Sequence, residues 1–368
     1  MGAGMHSPTA SEREWMETRA WLRDHRSDLD DAAAQSYPRA VRVAETPLLA
    51  RKEWIPVTPL RIDDIALEWS PTAPIPPVPL ASPVLPIGDS GRAYASYAEA
   101  VGSIAAPSVF ENRPTYRLLH ADLTGATPTM RFSLGCYFDS INVGEAAAHE
   151  FALRQRGQAI DAGVRAAVED PCDPAQRPVN LAISTLTIRR EPDTGAKSFL
   201  LHWRDPRKVG HAGGMYQVVP VGIFQPSGYA EWNIDPDFSL WRNMIREFAE
   251  ELRGDSEDHG SERAPIDYDS WDFANRLERA RRDGALTAYC LGLGVDPLSF
   301  ATDLLTAVVI DAPVFDSLFA ASATSNAEGR VLELQPFTSE RVQEILADHP
   351  IQAAGRAVLR LATAATTL

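Results

Sequence analysis

The sequence predicts an α+β fold on three observations. Alternating apolar stretches at 181–190 and 199–203 flank Asp193-Thr194-Gly195, the pattern of a β-hairpin. Helix-period segments at 11–36, 143–154, 271–282 and 339–347 lie among the strand segments in an irregular order, without the strict β-α alternation of a parallel sheet. A hydrophobic content of 45% over 368 residues is ample for a large core.

Taken in order, 11–36 reads as a helix, with Trp15, Ala20, Leu22 and Leu29 among polar neighbours and Pro38 closing it. A proline-rich stretch between Trp69 and Ile87 is expected to be polyproline-like, because each proline removes a donor and stiffens its predecessor. Segments 115–119 and 130–134 read as strands leading to the 143–154 helix. His149-Glu150 begins like a zinc-protease helix, but Leu153 stands at the second histidine position, so that motif is absent. After the hairpin come an apolar strand at 219–224, a Gly/Pro turn and a carboxylate-rich helix. Segments 286–294, 305–310 and 331–334 complete the strand candidates. The chain divides on this reading into 1–108 (a helix, extended and Pro-rich), 109–178 (a small α+β region) and 179–368.

Charge narrows the function. The formal net charge is -15, from 50 acidic and 35 basic residues, with no long basic run, so nucleic acid is not an expected partner. No segment approaches the ~20 apolar residues of a membrane span, and no signal-peptide layout opens the chain. Cys136, Cys172 and Cys290 are odd in number and lack metal-ligand spacing, which fits a reduced, cytoplasmic protein. A homodimer remains open.

The most informative segment is Arg246-Glu247-Phe248-Ala249-Glu250-Glu251. At about 100° per residue, Glu247, Glu250 and Glu251 share one arc, and Trp241, Ile245, Phe248, Ala249 and Leu252 occupy the opposite face. Such like-charge pairs cost a helix about 0.2–0.5 kcal/mol each, so a neutralising partner is expected. Oxygen ligands of this kind suit Mg²⁺, Mn²⁺ or Ca²⁺ and are poor for Zn²⁺.

This segment resembles the signature of the Nudix hydrolase superfamily, G-x5-E-x7-R-E-U-x-E-E-x-G-U, with U a bulky apolar residue. Residues 246–251 match its R-E-U-x-E-E core, and Pro220-Val221-Gly222 is similar to the turn that opens it. Gly228 stands where the pattern has Glu, the spacer to Arg246 is ten residues longer, with 229–238 as the insertion, and Gly254 falls one place late. The resemblance implies a mixed sheet packed between helices over roughly the second half of the chain, preceded by an N-terminal extension or smaller domain.

The implied activity is Mg²⁺-dependent (or Mn²⁺-dependent) pyrophosphohydrolysis of a nucleoside-diphosphate-linked metabolite, with a nucleotide-like small molecule as ligand. The alternative is a sensing or scaffold module that keeps the fold without turnover. Glu247, Glu250 and Glu251 are the expected metal ligands, and Glu328, in a loop before the last strand, is the expected additional catalytic acid, with Glu333 as runner-up. Arg204, Arg207 and Lys208 are candidate phosphate contacts, Gly222 a close-approach position, and 229–238 an expected lid. Arg246 points off the arc and is expected to orient the turn.

Overall fold

The computed structural model of the protein describes residues 7–76, 83–107, 109–160, 162–204, 214–257, 259–319, 329–331 and 333–368. Its elements are α1 (Ala10–Asp24), α2 (Arg26–Gln35), β1 (Val41–Arg42), β2 (Leu49–Ala50), β3 (Leu60–Arg61), β4 (Ala66–Trp69), α3 (Tyr97–Ile104), β5 (Pro114–Asp122), β6 (Thr129–Cys136), α4 (Tyr137–Gln155) and α5 (Val164–Ala167). There follow β7 (Leu181–Arg190), β8 (Lys197–Phe199), β9 (Leu201–Arg204), β10 (Tyr216–Val218), β11 (Val221–Ile223), α6 (Leu240–Glu247), α7 (Asp272–Arg282), β12 (Leu286–Val295), β13 (Thr302–Asp311), α8 (Ala312–Phe319), β14 (Gly329–Val331), β15 (Gln335–Pro336), α9 (Ser339–Asp348) and α10 (Ala353–Ala364). The α+β class holds.

The main sheet is mixed. It runs β1-β2-β12-β13-β7-β8-β15, with β11 paired to β7 and β3 to β12. The centre is parallel, β13 beside β7, and its flanks are antiparallel. Central strands buried on both faces are mainly apolar, and β13 buries Leu304, Leu305, Ala307, Val308, Val309 and Ile310 with only its last residue part-exposed, its polar Thr302, Asp303 and Thr306 being hydrogen-bonded. Helix α10 packs on β7, β12 and β13, while α7 and α8 pack on the same central strands. Among the described residues no helix is long and apolar enough to cross a membrane.

Two smaller sheets, β10-β9-β14 and β4-β6-β5, flank this body. One cluster of buried apolar side chains draws on Trp15, Phe132, Leu186, Leu304 and Val358, so the stretches 1–108, 109–178 and 179–368 all contribute to it. The N-terminal helix expected over 11–36 breaks at His25, whose backbone (φ -116°, ψ 17°) leaves the helical region. The break lets α2 bury Arg26 and Asp30.

Candidate functional site

The β10–β11 turn and α6 set the site. Val221, Gly222 and Ile223 pair with Ser184, Ile183 and Ala182 of β7, which leaves the other edge of β11 facing α6. Ser239 caps α6 by accepting the Arg242 amide, and the helix then widens into a single π-helical turn at Phe248–Leu252. An inserted π turn changes where successive side chains point and recurs at functional sites. Here it separates the three carboxylates.

Glu247 sits on Gly222. A Cβ at residue 222 would stand 1.8 Å from Glu247 Cδ and 1.9 Å from its Oε1, so the carboxylate needs a glycine there. Glu250 Oε1 lies 3.2 Å from His259 Nε2. Glu251 is buried, and its Oε1 accepts the Val221 amide at 2.7 Å while Oε2 lies 3.7 Å from His202 Nδ1.

A cavity of about 370 Å³ opens beside this turn. Glu247, Glu250, Gly222 and Arg204 line it, and Glu251 does not. Its other walls carry Arg113, Arg177, Arg26, Asp30, Asp296 and Asp303, the last on β13 in one row with Ala182 and Ile223. Arg207, Lys208 and Glu328 lie outside the described residues. Glu333 is exposed and does not line the cavity.

Arg246 is a positioning group. It is buried, with Nη1 donating to Tyr268 Oη at 2.6 Å and lying 3.2 Å from Asp237 Oδ1, and with Nη2 donating to the Gln225 carbonyl and Asn243 Oδ1. Asp237 also accepts the Ser227 amide and the Tyr268 hydroxyl. The approach loop is thereby tied to the helix at both ends.

This tie corrects the lid expectation. None of residues 229–238 lines the cavity, whose loop wall is Gln225, Pro226 and Ser227. Trp232 instead donates its Nε1–H to the Ser261 carbonyl, and Phe238 inserts among Tyr116, Phe132 and Phe224. Each such aromatic pair contributes about 0.5–1.5 kcal/mol beyond its area, so the insertion is fastened to the core. Gly228 is enclosed as well, since a Cβ there would meet Glu262 Oε1 at 2.5 Å and Ser261 Oγ at 2.6 Å.

The β12–β13 turn and the start of β13 supply two further acids: Asp296, which has no supporting neighbour in sequence, and Asp303, which no motif marks. Asp296 accepts the Leu298 and Ser299 amides and pairs with Arg26 at 3.2 Å. Asp303 accepts the Ser184 hydroxyl at 2.8 Å, yet burial pushes its carboxyl up to about 6, with the Asp296 charge adding to the rise. Burial likewise raises Asp30 well above the usual carboxylate range. Acids this far apart in sequence have no common motif; only the β7–β13 pairing and the α2 break bring them together.

Two oxygen donors at the cavity wall, Glu247 and Glu250, suit Mg²⁺, which is commonly held by one or two carboxylates together with water and substrate phosphate. Among the described residues no group of three or more His, Cys, Asp or Glu side chains is placed to hold a metal by itself. No family model matches this chain, and no curated protein matches it either.

Proposed function

We propose that this protein is a divalent-cation-dependent hydrolase of a nucleoside-diphosphate-linked metabolite, with a Nudix-like site on the α6 turn. The observation that carries the reading is the seat of Glu247 on Gly222 at the wall of a cavity that also holds Glu250 and several arginines. A pyrophosphate carries several negative charges and fits such a wall only with cations beside it. Glu247 and Glu250 would hold Mg²⁺ or Mn²⁺, which when bound neutralises phosphate oxygens and makes water a better nucleophile.

The chain's own groups do the rest. Arg246, tied to Gln225 and Asp237, holds the helix at a fixed distance from the approach loop. His259 steadies Glu250. Asp303, with its carboxyl raised to about 6, is a group able to accept or return a proton near neutral pH. Glu328, the additional acid expected from the sequence, lies outside the described residues.

The engagement of Glu251 by the Val221 amide favours a second reading, a module that binds its ligand without turnover. One experiment separates the two: incubation with a panel of nucleoside diphosphate derivatives, with Mg²⁺, with Mn²⁺ and with chelator. Metal-dependent release of phosphate-containing products, lost in Glu247→Gln and Glu250→Gln, supports hydrolysis. Metal-dependent binding without product supports the module.

A further inference from the structure

Arg177 is a buried charge with no ion pair to a described residue; the Asp170 charge acts on it only from a distance. It is 3% exposed, and among the described residues no carboxylate lies within 4.0 Å of it. Its Nε donates to the Pro171 carbonyl and its Nη2 to Thr302 Oγ1, both at 2.8 Å, while Nη1 makes no hydrogen bond to a described residue. The residue lines the cavity. Burial lowers its guanidinium to about 10, which still leaves it charged at neutral pH.

Burying an unpaired ion costs several kcal/mol, so a fold that keeps one needs a reason. Other buried arginines show what ordinary solutions look like here. Arg246 faces Asp237, and Arg26 faces Asp30 and Asp296. Arg117 donates to the Ala73 and Pro74 carbonyls, and Arg165 to those of Pro297 and Leu298; neither lines the cavity. Arg177 differs from Arg26 and Arg246, which also line the cavity, in having no ion pair to a described carboxylate, and from Arg117 and Arg165 in lining the cavity.

Its surroundings are also built to hold it still. Pro178 follows it and restricts its backbone to extended conformations. The Phe300 ring lies 5.7 Å from its Cζ, and Phe300 adopts φ +58°, a left-handed conformation that is costly for a bulky residue. Strain of this kind persists where the surrounding structure fixes it, and here it sets the Phe300 ring against two guanidinium groups, that of Arg165 at 5.0 Å and that of Arg177 at the cavity wall.

We propose that Arg177 forms a phosphate subsite, its Nη1 edge donating to the oxyanion of a phosphoryl group on the ligand. The recognised chemistry is a phosphate or pyrophosphate oxyanion, held by charge and by the planar fork of the guanidinium. The identity of the whole ligand rests on the hydrolase reading above; anion binding at Arg177 does not, because it needs neither a divalent cation nor turnover.

The test is calorimetric titration of the full-length protein with inorganic pyrophosphate in the presence of chelator. Arg177→Met should weaken binding at least tenfold and Arg177→Lys less, whereas Arg117→Met, which removes a buried arginine bound to the Ala73 and Pro74 carbonyls and not lining the cavity, should leave affinity within twofold. Undiminished affinity in a folded Arg177→Met protein, or no binding by the wild type, overturns the proposal. If Arg177→Met does not fold, crystals of the wild type soaked in tungstate decide: an oxyanion within hydrogen-bonding distance of Nη1 supports the subsite, and anions bound only elsewhere overturn it. Loss of metal-dependent hydrolysis with pyrophosphate binding intact would count against the hydrolase reading alone.

Discussion

The carboxylate of Glu247 fills the space that a side chain on residue 222 would need, with its Cδ 1.8 Å from where a Cβ would stand. Gly222→Ala should therefore expel the carboxylate from its seat. The overpacking cost is about 1–3 kcal/mol, small enough to leave a folded protein. Mn²⁺ affinity, read by calorimetry, should fall at least tenfold; an alanine variant that binds Mn²⁺ like wild type would remove Glu247 from the site.

Asp237 is the buried counter-charge of Arg246. Asp237→Ala strands that guanidinium and should cost about 3–5 kcal/mol, measured by urea unfolding, because a broken buried pair leaves one ion uncompensated. Asp237→Asn keeps an acceptor for the Ser227 amide and should cost less. Equal losses in the two variants would show that Arg246 draws little from the charge of Asp237.

How much of this was readable beforehand follows from particular residues. The strand 181–190 coincides with β7, because hydrophobic periodicity and the flanking turn mark it on both sides. The helices at 271–282 and 339–347 also stand, within a residue at their ends. Helices α3, α8 and α10 were missed. Helix α10 buries most of its first ten residues against the sheet, and its polar face is only Arg356, Arg360 and Thr363, a narrow stripe in an alanine-rich run.

The site was half legible. Gly222, Glu247 and Glu250 lie within one short stretch of sequence and line one cavity. The π turn that sends Glu251 to the β11 edge leaves no mark in a 3.6-residue reading. Asp303, Asp30 and Arg177 reach the same cavity only through long-range packing, and nothing in their own neighbourhoods signals it.

Glu251 offers a separate test of that division of labour. Its Oε1 accepts the Val221 amide, so Glu251→Gln should retain the bond and change stability by less than about 1 kcal/mol, while Glu251→Ala should cost about 1–3 kcal/mol for a buried donor left unmet. Thermal unfolding of both variants provides the comparison. A Gln variant as damaged as the Ala variant would mean that the charge on Glu251, and not its hydrogen bond, is what the fold needs.

Asp303 gives a prediction in pH. Its carboxyl is raised to about 6 in the folded protein, chiefly by burial, whereas an unfolded aspartate titrates near 3.9. The folded state thus binds the proton more tightly between these values, and stability falls as pH rises through that window. The penalty is absent below about pH 4 and complete above about pH 6, and a shift of this size corresponds to about 3 kcal/mol. Asp303→Asn removes the charge and keeps an acceptor for the Ser184 hydroxyl. The variant should be more stable than wild type at pH 7.5 and nearly equal to it at pH 4, in denaturant unfolding at both values. If Asp303 also moves a proton in the reaction, the same substitution should lower turnover while leaving Mn²⁺ affinity unchanged. A variant less stable than wild type at pH 7.5 would show that the ionised carboxylate is held by favourable contacts, and would end the case for a raised, proton-accepting group on β13.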